Sequence, residues 1–62
     1  MFEEFLNRSV KVVYDDGGKV RAVYGVLEGA NEFLKIRMFN GRLVLIGKEY
    51  VIRVTLSEKL KN

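Results

Sequence analysis

The sequence predicts a mostly β domain in which a short N-terminal helix is followed by a five-stranded antiparallel small barrel. Three observations predict it. Apolar residues recur with a period of two from Ser9 onward, turn signals separate these runs at short intervals, and no proline interrupts them. Strands joined by such short turns pair antiparallel with their neighbours, and five bent strands covered by one helix form a small barrel. The 62 residues leave room for one domain, residues 1–62.

The first element is the predicted helix, at residues 2–7. The stretch MFEEFLN places Phe2, Phe5 and Leu6 at helical spacing, with two glutamates near the start. Acidic side chains in a first turn complement the helix dipole. We expect the apolar side of this helix to cover the core rather than to bind a partner.

Five strands fill the predicted barrel, at residues 9–56. SVKVVY is the first strand, and the DDGGK that follows it is a hairpin signal. KVRAVYGVLEG is long enough to bend, and Gly25 in its middle is typical of a bulge or a tight bend. FLKIRMF alternates cleanly and ends at Asn40-Gly41, the strongest hairpin signal in the chain. RLVLI and EYVIRVTL complete the barrel, and a polar tail occupies residues 57–62.

The composition argues against an enzyme. The chain has neither cysteine nor histidine, so it lacks disulfides, ordinary zinc sites, the commonest general base and the commonest thiol nucleophile. The acidic residues are scattered, and Asp15 and Asp16 precede Gly17-Gly18 as turn formers. We therefore predict a binding protein that needs no metal or other cofactor.

The net charge of +3 is compatible with a polyanionic partner and equally with ordinary solubility. No apolar run approaches the ~20 residues of a membrane span, and MFEE lacks the basic start of a signal peptide. We expect no membrane partner and a cytoplasmic location, with which the absence of cysteine agrees.

The stretch LIGKEYVIRV joins two apolar runs at Gly47-Lys48 and favours self-association. A domain of this size buries only about 60% of the surface its unfolded chain exposes, so its stability is marginal without a disulfide, a metal or a partner subunit. Residues 43–46 are apolar at every position, although a strand of a small open barrel normally has one wet face. The alternative is a closed monomeric barrel with a few exposed aliphatic side chains. The predicted interface residues are Val44, Ile46, Val51 and Ile52.

Together these residues resemble the Sm-like protein family over residues 2–56. Five positions fit the first motif of that family, three through its G-x-L-x-G spacing and two as apolar positions: Gly25, Leu27, Gly29, Leu34 and Ile36. Asn31 stands where the family usually has Asp. Gly47 matches the glycine of the second motif, and Ile46 stands in the place of its arginine.

The resemblance implies a homo-oligomeric ring, a hexamer to octamer, in which the fourth strand of one subunit pairs with the fifth strand of the next. It also implies a site for single-stranded RNA, with a base stacked on Phe33. Lys35 replaces the base-reading asparagine of the family, and lysine holds phosphate better than it reads a base. The expected function is RNA binding with low sequence selectivity. The implied RNA-binding residues are Asn31, Phe33, Lys35, Gly47 and Lys48.

Other readings stay open. Ile46 in place of arginine favours a ring that acts as a structural or assembly scaffold without RNA. The hairpin YDDGGK, with Lys19 and Arg21, resembles that of small archaeal chromatin proteins and favours a basic DNA-coating protein. Phe33 also fits an ordinary core position, and Lys35 an ordinary solvated face.

Overall fold

The computed structural model describes residues 2–57, and the structural statements below concern those residues. Five strands form one antiparallel sheet in the order β4-β3-β2-β1-β5. Single 3-10 turns precede β1 and β5; we call them the N-terminal turn and the connecting turn. The predicted mostly β fold with five antiparallel strands is confirmed. The strands are β1 (Ser9–Asp16), β2 (Lys19–Ala30), β3 (Phe33–Arg37), β4 (Leu43–Gly47) and β5 (Val51–Leu56).

The sheet is open, and its two edges are β4 and β5. In a flat sheet these edges would lie about 19 Å apart, four spacings of about 4.8 Å. Only the connecting turn, Lys48–Tyr50, joins the end of β4 to the start of β5. Because a 3-10 helix advances only about 2 Å per residue, the sheet has to curl until those two strand ends lie close together. The described part of the chain thus forms a curled sheet whose edges are not paired, and barrel closure stays a prediction.

The core lies on the inner face of this curled sheet. Cross-strand pairs bring its members together, among them Val12 with Val23 and Leu34 with Ile46. Alternate residues of β1 and β3 contribute, as the period-two pattern predicts, whereas the register shift of β2 changes the spacing between Leu27 and Ala30 to three. The buried cluster consists of Val10, Val12, Val23, Leu27, Ala30, Leu34, Ile36 and Ile46.

The helix predicted at residues 2–7 is a single 3-10 turn, Glu3–Phe5. No side chain caps its start, and the chain leaves helical geometry at once, with a φ of +63° at Asn7. So short a segment cannot offset the cost of nucleating an α-helix. The Asn7 N–H donates to the Leu27 carbonyl at 2.7 Å, which ties the segment to β2. Its three apolar side chains pack against the core, as predicted: Phe2, Phe5 and Leu6.

Glycines shape the start and the middle of β2. The hairpin predicted at DDGGK forms between β1 and β2, and its two-residue turn is Gly17-Gly18, with φ values of 63° and 95°. At Gly25 an added Cβ would lie 2.4 Å from the Arg37 carbonyl oxygen, so β3 can approach only because this residue has no side chain. The register shift itself lies further along β2, between Leu27 and Gly29.

The end of β5 is tied back to β1. Ser57 is buried, and its N–H donates to the Ser9 carbonyl at 2.9 Å. The rest of the polar tail predicted at residues 57–62 lies outside the described residues. Within the described part, no helix is long and apolar enough to cross a membrane.

Candidate nucleic-acid interface

A cavity of about 520 Å³ lies beside the turn between β2 and β3; we call it the β2–β3 cavity. It brings together three of the five residues predicted to bind RNA: Asn31, Phe33 and Lys35. The remaining lining residues are Glu28, Gly29, Ala30, Glu32 and Leu45.

The alternation of β3 places Phe33 and Lys35 on the outer face. Leu34 and Ile36 are fully buried, so the residues between them point the other way. Phe33 is 51% exposed, and its cross-strand partner, Gly47, offers no side chain to cover the ring. Phe33 is therefore a surface aromatic residue and not part of the core.

Lys35 extends across a gap that Gly29 leaves. A Cβ at Gly29 would lie 3.3 Å from the Lys35 Cδ, so the aliphatic stem of the lysine passes over the glycine backbone. Leu45 faces Lys35 from β4. Within residues 2–57 the Lys35 ammonium has no carboxylate partner, because the ion pairs there join other residues. The lysine is thus available to an anion.

Two carboxylates also line the β2–β3 cavity, and only one of them is engaged. Arg37 holds Glu28 through its Nε, 3.2 Å from Oε2, and through Nη2, 3.4 Å from Oε1. Arg37 also donates from Nη1 to the Gly41 carbonyl at 3.0 Å, which fixes the guanidinium. Glu32 is exposed and has no hydrogen bond or ion pair in the described part of the chain. The cavity therefore presents one free cation, one free carboxylate and one aromatic face.

The other two predicted RNA-binding residues do not line this cavity. Lys48 starts the connecting turn and is half-buried. Gly47 pairs with Phe33, and its φ of −61° is a value that any residue adopts, so its backbone conformation does not require glycine. The connecting turn that follows it forms the corner between β4 and β5. An added Cβ at Gly47 would lie 3.2 Å from Glu49 Oε1 and 3.2 Å from Tyr50 Cδ2, so the carboxylate and the tyrosine ring would both have to move slightly.

A second cavity of about 470 Å³ lies between the tip of the β1–β2 hairpin and β4. Four consecutive residues of β4 line it, at positions 44–47, opposite Tyr14 and Tyr50. The cavity therefore runs along most of β4, and the tip of the β1–β2 hairpin faces β4 across it.

The side chains on β4 differ from those predicted at the interface. Ile46 is 5% exposed and belongs to the core of the chain itself, while Val44 is half-buried against that core. The outward residues are Leu43 and Leu45, which sequence reasoning missed. The length of the β3–β4 loop could have indicated them, because it sets the register of β4 against β3. In that register Leu43 is opposite Arg37, so both leucines lie on the outer face.

The two interface residues predicted on β5 differ in their exposure. Val51 packs half-buried against the core, whereas Ile52 is 56% exposed at a register shift of this edge strand. Ile52 is therefore the predicted interface side chain that is fully available to a neighbour.

The hairpin that suggested a chromatin-type protein is less basic than its sequence implies. Arg21 Nε lies 2.7 Å from Asp16 Oδ2, so one of its two cations is already paired. Within the described residues, no group of acidic side chains could hold a metal ion.

Comparison with known proteins assigns no family. No protein-family model matches the chain, and neither the curated proteins nor the solved structures give a significant match. The Sm-like resemblance rests on motif spacing and stays a prediction.

Proposed function

We propose that this chain is a subunit of an Sm-like ring that binds single-stranded RNA with low sequence selectivity. The observation that carries the proposal is the placing of a half-exposed Phe33 and an unpaired Lys35 in one cavity. An aromatic face stacks any base, and a nearby cation attracts the phosphate that links it to the next. Neither contact reads sequence strongly, which accounts for the low selectivity.

Ring formation is supported by the two unpaired edges of the sheet. Unpaired edge strands are templates for pairing with another chain. β4 exposes Leu43 and Leu45, and β5 exposes Ile52 and Leu56, so both edges carry apolar side chains as well as free backbone groups. Pairing β4 of one subunit with β5 of the next is head-to-tail, and such an arrangement closes into a ring when the rotation allows.

A ring also explains how sites that are weak individually give a high overall affinity for RNA. Each subunit contributes one β2–β3 cavity, and an RNA strand that engages several of them gains avidity without new contacts. Single-stranded RNA fits this arrangement better than a duplex, because stacking on Phe33 requires an unpaired base.

A ring that serves as a scaffold without RNA is the second candidate. The observation in its favour is that two carboxylates, Glu28 and Glu32, line the same cavity and oppose a polyanion. Arg37 offsets only the first of them.

Fluorescence anisotropy of labelled single-stranded RNA titrated with the intact oligomer separates the two functions. RNA binding that weakens steeply with added salt supports the proposal. Absence of binding at low salt leaves the scaffold, and equal affinity for duplex DNA favours the DNA-coating alternative.

A further inference from the structure

We infer that the β2–β3 cavity prefers guanine, with the Glu32 carboxylate accepting hydrogen bonds from the edge of a base stacked on Phe33. The inference rests on the proposed RNA binding, since it specifies which base enters the same cavity. The preference applies to one base in each subunit, and the rest of the site binds RNA of any sequence.

Glu32 is the free acceptor of the cavity. The Arg37 guanidinium occupies both oxygens of Glu28, at 3.2 and 3.4 Å, so that carboxylate has little capacity left for a ligand. Glu32 has neither a hydrogen bond nor an ion pair among residues 2–57. An ionised carboxylate can only accept hydrogen bonds, so a base that fits beside it has to present donors.

Guanine is the base whose edge matches a carboxylate. Its N1–H and its N2 amino group are adjacent and parallel, so they can donate to both carboxylate oxygens in the fork geometry that favours strong pairs. Uracil presents a single N–H between two carbonyl oxygens, which the carboxylate repels. Adenine and cytosine each present one amino group beside a ring nitrogen that only accepts. Bases of single-stranded RNA are commonly read on this edge while they stack on an aromatic side chain.

The local structure brings the three groups to one cavity. Phe33 is the first residue of β3, so pairing with β4 fixes its backbone, whereas Glu32 lies in the preceding two-residue turn and is exposed. Asn31, in the same turn, also lines the cavity and has an amide that can donate to guanine O6. Lys35 remains on the outer face for the phosphate.

The test compares short labelled oligouridines that carry one central guanine, adenine, cytosine or inosine, titrated against the intact protein. We expect guanine to bind about 5- to 20-fold more tightly than uridine, the lower part of the range for a bidentate base contact, because Glu32 is exposed. Inosine lacks the N2 amino group, so it should lose most of that advantage. Glu32→Gln should abolish the preference, and Glu4→Gln, an exposed glutamate outside the cavity, should retain it.

The outcomes distinguish this inference from the proposed function. Equal binding of all the oligonucleotides, or a guanine preference that survives Glu32→Gln, overturns the inference and leaves RNA binding intact. Failure of every oligonucleotide to bind at low salt overturns both. A guanine preference that falls with inosine and with Glu32→Gln supports the assignment of Glu32.

Discussion

Phe33 and Phe39 are both exposed aromatic residues, at 51% and 63%, but only Phe33 lines the β2–β3 cavity. Phe33→Ala should weaken single-stranded RNA binding by about 1–3 kcal/mol per engaged base, because it removes the stacking face. Phe39→Ala is the matched control and should leave the affinity unchanged. Anisotropy titration of both variants measures the difference. An equal loss in the two would show that exposed aromatic area, and not the cavity, holds the RNA.

Lys35 is expected to carry the salt dependence of binding. Each phosphate contact on a single strand adds about 0.7 to the slope of log affinity against log salt, because it releases counterions. Lys35→Ala should flatten this slope. Lys19→Ala should not, because Lys19 starts β2 and the cavity lies at the other end of that strand. Titrations at several salt concentrations give the slopes. A larger effect of Lys19 would place the nucleic acid on the hairpin instead.

At the residue scale, the sequence predicted on which face of a strand a side chain lies wherever apolar and polar residues alternate. Phe33 and Lys35 flank Leu34 in a clean period-two run, so their shared face was readable. Glu32 was not predicted, because a turn residue has no periodicity. Leu45 was missed because its direction depends on the register of β4 against β3, which the loop length sets.

At the element scale, the packing of β3 against β2 depends on the absence of a side chain at Gly25. Gly25→Ala should destabilise the fold by about 1–3 kcal/mol or more, since the added Cβ would lie 2.4 Å from a backbone carbonyl that cannot move freely. Gly29→Ala is the control, because its Cβ would meet a flexible lysine side chain at 3.3 Å. Urea unfolding of both variants measures the change. Similar stabilities would contradict the packing of β3 over Gly25.

Hairpins were the elements that local sequence predicted best. Gly17-Gly18 adopts positive φ at both positions, a conformation that few other residue pairs allow, so the turn is visible in the sequence. The helix at residues 2–7 was overestimated, because spacing alone does not reveal that the segment is too short for a helix. The connecting turn, Lys48–Tyr50, was assigned in part to β5, since EYV has strand propensity and only the geometry of the curled sheet imposes the turn.

At the scale of the whole molecule, the two edges of the sheet, β4 and β5, are unpaired in the described part of the chain. The pairing of β1 with β2, of β2 with β3 and of β3 with β4 follows from short antiparallel connections, and the sequence predicted it. The pairing of β5 with β1, and not with β4, does not follow from such connections. Whether β4 and β5 pair with neighbours depends on contacts between chains, which periodicity within one chain does not encode. The leucines at positions 43 and 45 and Ile52 show where such a neighbour would bury apolar surface.

The solution mass of the protein tests the ring most directly. At low micromolar concentration, light scattering should give a hexamer to octamer for the wild-type chain. Ile52→Lys should dissociate it, because the exposed edge of β5 would then bring an uncompensated charge into the intersubunit ladder. Val20→Lys, at a residue 69% exposed on the inner strand β2, should leave the mass unchanged. A monomeric wild-type protein, or an Ile52→Lys variant that keeps the full oligomer mass, would contradict the assembly through β4 and β5.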